Sequence, residues 1–268
     1  MSDSVVASRD ARKIRHYLNF IENLSKFSWL PTLSRWHPWL RPDKTDIRWL
    51  PINEDIEATG SSPLPVQLVD TIIDEASHRV ILDYCACRKA FSCKGYPTDI
   101  GCLMMGDSAL EISPAVSRVV DVEEAKAHAR RAFGAGLIPA VGKARVDNFL
   151  FGVKDRGRLM TVCFCCECCC LTRYTRHMPM KTLEQIFPRL DGISVEVTDE
   201  CTGCGTCVEH CFINAMRLDD NRAVIGEQCR ACGRCASVCP SGAVKIAITQ
   251  ADFLDRAHDK IRSYIKYD

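Results

Sequence analysis

The chain has 268 residues, and 35 Lys and Arg against 34 Asp and Glu leave a formal net charge of +1, which excludes bulk attraction to nucleic acid or an acidic partner. Eighteen cysteines fit a disulfide framework only in a short secreted chain, and the polar start from Met1 to Lys13 does not read as a signal peptide. No run reaches the roughly eighteen apolar residues that span a bilayer, so a cytoplasmic, reducing and oxygen-poor setting is expected for this many thiols.

Residues 1–60 read as an arm. Arg12 to Phe27 has Ile14, Leu18, Ile21, Leu24 and Phe27 close to one helical face. All four tryptophans follow between Trp29 and Trp49, among prolines that predict irregular structure. Such an aromatic, arginine-rich belt either wraps its own domain, the favoured reading, or offers a peripheral docking surface for a membrane or a partner protein.

Residues 61–190 read as a small cysteine-rich α/β domain. Pro65 to Ala76 has a helical period of apolar residues, and Arg79 to Asp83 is a short strand running into Cys85. Cys85, Cys87, Cys93 and Cys102 form a first group. Asp121 caps a helix opened by Glu123 and Glu124 and stopped at Gly134 or Gly136. Leu159 to Val162 is a second strand, running into Cys163, Cys165, Cys166, Cys168, Cys169 and Cys170. Both cysteine groups are therefore expected together at the carboxyl ends of their strands, where α/β sheets tend to place sites.

Ten cysteines so arranged point to metal. One or more additional iron–sulfur clusters suit them best, because thiolates are the usual cluster ligands. A structural zinc site would use only four, and thiol exchange or metal transfer is the third reading. Arg88, Lys89 and Lys94 are placed to stabilise thiolates or an anionic cluster. Glu167, His177 and His78 are weaker ligand candidates. The Gly-rich run from Phe133 to Gly142 lacks the preceding strand of a dinucleotide site, and no catalytic residue can be assigned.

Residues 191–249 carry two copies of C-x2-C-x2-C-x3-C: Cys201, Cys204, Cys207 and Cys211, then Cys229, Cys232, Cys235 and Cys239 followed by Pro240. Ile193 to Val197 and Ala243 to Ile248 alternate as half-buried strands. Met216 to Leu218 and Ala223 to Ile225 flank the turn Asp219-Asp220-Asn221. This segment resembles a bacterial two-cluster ferredoxin. In that architecture the fourth cysteine of each copy ligates the other cluster, which implies one [4Fe–4S] cluster on Cys201, Cys204, Cys207 and Cys239 and another on Cys229, Cys232, Cys235 and Cys211. Phe212 departs from the proline usual after the fourth cysteine. Asp199, Glu200 and Glu209 crowd the first copy and Arg230 and Arg234 the second, so the second cluster is expected to have the higher potential. Residues 250–268 read as a helix capped by Thr249, with Phe253, Leu254, Ala257, Ile261 and Ile265 as its apolar stripe.

In motif order the chain from about Val80 to Ile248 is similar to a group of anaerobic ferredoxin-type proteins with an amino-terminal CxCR…CL…G and a CNCC-like run. That resemblance implies an α+β iron–sulfur electron-transfer protein with an extra amino-terminal metal site, served by redox partner proteins. The alternatives are an oxidoreductase reducing a substrate at an unusual amino-terminal cluster, and a metal or cluster maturation factor.

Overall fold

The computed structural model describes residues 4–30, 41, 43–52, 64–154 and 157–268. Its centre is a six-stranded sheet. In chain order the strands are β1 (Thr45–Trp49), β2 (Arg79–Leu82), β3 (Leu103–Met105), β4 (Ser117–Val119), β5 (Ile138–Ala144) and β6 (Met160–Cys165). Their spatial order is β1-β5-β6-β3-β2-β4, and every neighbouring pair is antiparallel. Helices and strands thus both contribute, as expected, but the sheet lacks the parallel pairing that an α/β reading implies.

Both faces of this sheet are covered. The period of two along each strand assigns the layers. Val80, Leu82, Met104 and Ala140 face a core that includes Ile14, Leu18 and Ile21 of helix α1 (Ala11–Ser25). Ile81, Leu103, Met105, Val141 and Val162 face the opposite core. There they meet helix α2 (Leu64–Glu75), and Ala125, Ala129 and Ala132 of a helix spanning Val122–Gly134. Asp121 caps that last helix, its side chain accepting from the Glu124 amide at 2.9 Å, and Gly136 (φ +70°) turns the chain beyond it.

The arm differs from expectation in two ways and agrees with it in one. Thr45–Trp49 is a strand, because β5 offers an edge that overrides the prolines nearby, and Gly142 on β5 has no side chain to collide with the Asp46 carbonyl. Trp49 is buried, stacked on Phe187 with ring centroids 5.0 Å apart, so this ring does wrap its own domain. Phe27 lies beyond the end of α1 and is exposed rather than part of its apolar face, as is Trp29. Trp36 and Trp39 lie outside the described residues.

The carboxy-terminal segment is built on strand β7 (Ile193–Val197), paired antiparallel with β10 (Val244–Ile248), and a hairpin of β8 (Met216–Asp219) and β9 (Arg222–Ile225). Asp220 and Asn221, both at positive φ, form the two-residue turn. Each cysteine copy enters a single helical turn, Thr206–Glu209 or Arg234–Ser237, through a left-handed glycine, Gly205 (φ +80°) or Gly233 (φ +83°). The last helix, Phe253–Arg262, starts after Asp252 and not at Thr249, whose amide instead donates to Gly192. It packs Phe253, Ala257 and Ile261 into the core, and Tyr267 beyond it bonds Glu75 of α2 at 2.9 Å.

Candidate metal centres and their setting

The two cysteine repeats of the carboxy-terminal segment form two cavities, each mixing the copies. Cys201, Cys204, Cys207 and Cys239 line one, with Gly203, Leu218, Ala223 and Val244 around them. Cys211, Cys229, Cys232 and Cys235 line the other, with Val195, Ile213, Arg230 and Arg234. Gly203 (φ +68°) is required where it stands, because a Cβ there would strike the Asn221 carbonyl. Backbone amides aim at the sulfurs: Ala215 donates to Cys211 at 3.2 Å and Ala223 to Cys201 at 3.4 Å.

The cavities differ in electrostatics. Cys204 in the first is exposed, and the Thr206 hydroxyl beside it holds its thiol below the ordinary range. Asp199 nearby is almost fully exposed and paired with Arg222 at 2.8 Å, so its effect on that cavity is screened by water. In the second cavity burial pushes the thiol of Cys235 up to about 12 and raises those of Cys211 and Cys232. Its arginines are buried as well, Arg230 at 4% and Arg234 at 6% exposure. Arg230 Nε and Nη2 and Arg234 Nε are buried without a hydrogen-bond partner among the described residues. Orphaned cationic donors beside four thiols are a costly arrangement unless an anion fills the space. An anionic cluster fits this donor set.

The amino-terminal cysteines come together through the register of three strands. Strands β2 and β6 run the same way, each antiparallel to β3 between them. The residues after β2, before β3 and at the end of β6 therefore share one edge. Cys102 and Cys163 meet there with sulfurs 3.3 Å apart. Cys165 and Cys170 lie 3.1 Å apart, and Cys87 hydrogen-bonds with both Cys170 and Cys85. The thiols of Cys165 and Cys87 and the Thr172 hydroxyl hold Cys170 well below the usual thiol range, and a hydrogen bond from Cys87 brings Cys85 down to about 7. Asp147, buried and bonded to Thr161 at 2.8 Å, is pushed up to about 7 by burial.

The remaining four form their own group. Cys93, Cys166, Cys168 and Cys169 place all their sulfurs within 4.8 Å of one another. Arg88 stands between the two groups, 1% exposed, with charge interactions reaching Cys85, Cys102 and Cys170 on one side and Cys166 on the other. Its guanidinium donates to the carbonyls of Pro97 and Phe164, each at 2.7 Å, and of Ile100. Among the described residues no carboxylate pairs with it. The cysteines on either side are thus the groups placed to interact with its charge.

The weaker candidates sit elsewhere. Lys89 rests over the Tyr84 ring at 3.9 Å. His78 lies 3.5 Å from Asp107 on the surface, and His177 interacts with Arg176, Glu22 and Lys26. Glu167 points neither to solvent nor to a cysteine. It accepts from the Tyr96 hydroxyl at 2.9 Å and lies 3.3 Å from Arg234 and 3.4 Å from His210. It therefore ties the amino-terminal cysteines to the second cavity. Phe212 does related work nearby: buried, it meets Trp49 edge-on at 5.5 Å, a contact proline in its place would lack. Sequence reading gave neither residue this role, since each depends on a contact far along the chain.

The profile of the 4Fe–4S dicluster domain matches residues 200–245. No curated protein and no solved structure matches the chain. A 4Fe–4S dicluster segment and clustered cysteines support an iron–sulfur electron-transfer role.

Proposed function

We propose that the protein is an iron–sulfur electron carrier or the electron-transfer subunit of a larger redox assembly. Cys201, Cys204, Cys207 and Cys239 would hold one [4Fe–4S] cluster, and Cys211, Cys229, Cys232 and Cys235 a second. The ten amino-terminal cysteines bind metal in addition, including a further iron–sulfur cluster. The observation that carries this reading is the second cavity: four thiols from both repeats, facing buried arginine donors that have no other partner among the described residues.

A [4Fe–4S] group supplies reversible one-electron storage when bound. The chain's own residues shape the setting. Arg230 favours the more negative state at the second cavity, because its charge is buried and poorly screened, and Arg234 adds less because Glu167 pairs with it at 3.3 Å. Cys204 brings the first cavity to the surface, where a redox partner can approach. The Ala215 and Ala223 amides disperse charge on the sulfurs they meet.

The test is a redox titration of the full chain purified without oxygen, followed by EPR. Reversible one-electron reduction at two separable potentials is the expected result. A chain with iron but no reducible signal, or with zinc in place of iron at the repeats, would overturn the proposal.

A further inference from the structure

Strand β6 divides the cysteines between the two faces of the sheet. Met160, Val162 and Phe164 point to the core shared with α2, while Cys163 and Cys165, alternating with them, point to the core shared with α1. Cys87, Cys102 and Cys170 also belong to the α1 side. Past the end of the strand the chain turns, and Cys166, Cys169 and Cys93 belong to the opposite core. Five thiols thus lie on one side and three on the other; Cys85, bonded to Cys87, and Cys168, 3.6 Å from Cys93, complete groups of six and four with Arg88 between.

We propose that Cys93, Cys166, Cys168 and Cys169 form a mononuclear site for one tetrahedral, thiolate-bound cation, zinc or iron, separate from every cluster. The inference rests on reading the amino-terminal cysteines as metal-binding and specifies what four of them hold. Sulfur spacing decides between an ion and a cluster. A tetrahedral ion with metal–sulfur bonds of about 2.3 Å sets its sulfurs roughly 3.8 Å apart. Cys93 and Cys168 are 3.6 Å apart, and all four sulfurs fall within 4.8 Å. A cubane must fit four irons and four sulfides between its thiolates and spreads them wider. The same molecule supplies the comparison: among the described residues no other three or more cysteines come this close, including both tetrads of the carboxy-terminal cavities.

The surroundings suit such an ion. Two loops contribute, the stretch after the short helix Ala86–Ala90 and the turn after β6. The amides of Gly95 and Tyr96 donate to Cys93, and that of Cys169 to Cys166, which fixes the sulfurs and offsets thiolate charge. Soft thiolates select zinc or iron over hard cations. Residues inside the two loops, Tyr96 and Glu167, carry the tie to Arg234, so an ion here would also order the seat of the carboxy-terminal segment.

The test measures zinc, iron and acid-labile sulfide per full chain, prepared without oxygen, in three proteins: the unaltered chain, Cys93→Ser with Cys168→Ser, and Cys102→Ser with Cys163→Ser. The first pair is expected to remove one equivalent of metal with sulfide unchanged, and the ion lost tells zinc from iron. The single variant Cys168→Ser guards against misfolding, because that sulfur is exposed; it should weaken retention of the same ion against a chelator. Loss of iron and sulfide together from the first pair would overturn the mononuclear site, as would unchanged metal content. Metal confined to the carboxy-terminal repeats in all three proteins would instead defeat the wider reading.

Discussion

Arg230 carries two buried nitrogen donors without partners, and its other contacts are carbonyls of Glu227 and Cys229. Arg230→Gln removes the charge and, beyond the two local bonds from Nη1, leaves the fold's hydrogen bonds alone. A charged hydrogen bond of about 1.5–3 kcal/mol corresponds to roughly 60–130 mV for one electron. The potential at the second cavity should fall by an amount of that order, with the first unmoved, in an EPR-monitored titration. Arg88 is a different case, since three carbonyls and the thiolates hold it on every side. Arg88→Leu should cost about 3–5 kcal/mol in anaerobic unfolding. Arg88→Lys should not restore stability, because an ammonium cannot span the three carbonyls.

Asp147 adds a pH dependence at the same scale. Burial raises its folded-state pKa to about 7, well above the value of 3.8 it has in water. The native state therefore holds the proton more tightly than the unfolded chain, so this group's contribution weakens stability as pH rises from about 4 to about 7. Asp147→Asn keeps an acceptor for Thr161 and removes the charge. Its advantage over the unaltered chain should be largest at pH 8, shrink as pH falls and vanish only near pH 4, as read from denaturant midpoints.

At the level of elements, the site depends on register more than on any single helix. Leu103 pairs with both Ile81 and Val162, and a slip of one residue in β3 would move Cys102 away from Cys163. The repeats and the four strands around them were legible in the sequence, because cluster-type spacing and a period of two are both local signals. Strand β3 was not: three residues, Leu-Met-Met, show no alternation of polarity when both faces are buried. Strand β1 was hidden by neighbouring prolines and exists because β5 pairs with it. The division of the cysteines was available in part, since Met-Thr-Val-Cys-Phe-Cys alternates, but the turn that sends Cys166 to the other side is set by tertiary contacts. Phe212 is the clearest tertiary residue among them. Phe212→Ala should cost about 3–5 kcal/mol, while Phe212→Pro should keep the cysteine spacing yet loosen the contact with Trp49. Hydrogen exchange around Trp49 and the Cys232 carbonyl, which accepts from Ile52, would register that loosening.

For the whole molecule, the sheet and the carboxy-terminal segment meet where the cysteines are densest. Glu167 lies between Cys166 and Cys168 and pairs with Arg234, itself one residue before Cys235. Glu167→Gln keeps a partner for Tyr96 but removes the ion pair; protection of the amides near Gly136 and Arg234 should fall, with cysteine ligation intact. No helix among the described residues is long and apolar enough to cross a membrane. The near-neutral net charge leaves partner choice to local surface features. The exposed Cys204 edge is where such a partner would approach most closely.

The most direct measurement is iron, zinc and acid-labile sulfide per full-length chain after purification without oxygen. Two cubanes alone require about eight irons and eight sulfides. The expected result is at least that complement, with further metal retained by the amino-terminal cysteines. About eight irons and no other metal would contradict the amino-terminal centres, and zinc in place of iron at the repeats would contradict the electron-transfer reading itself.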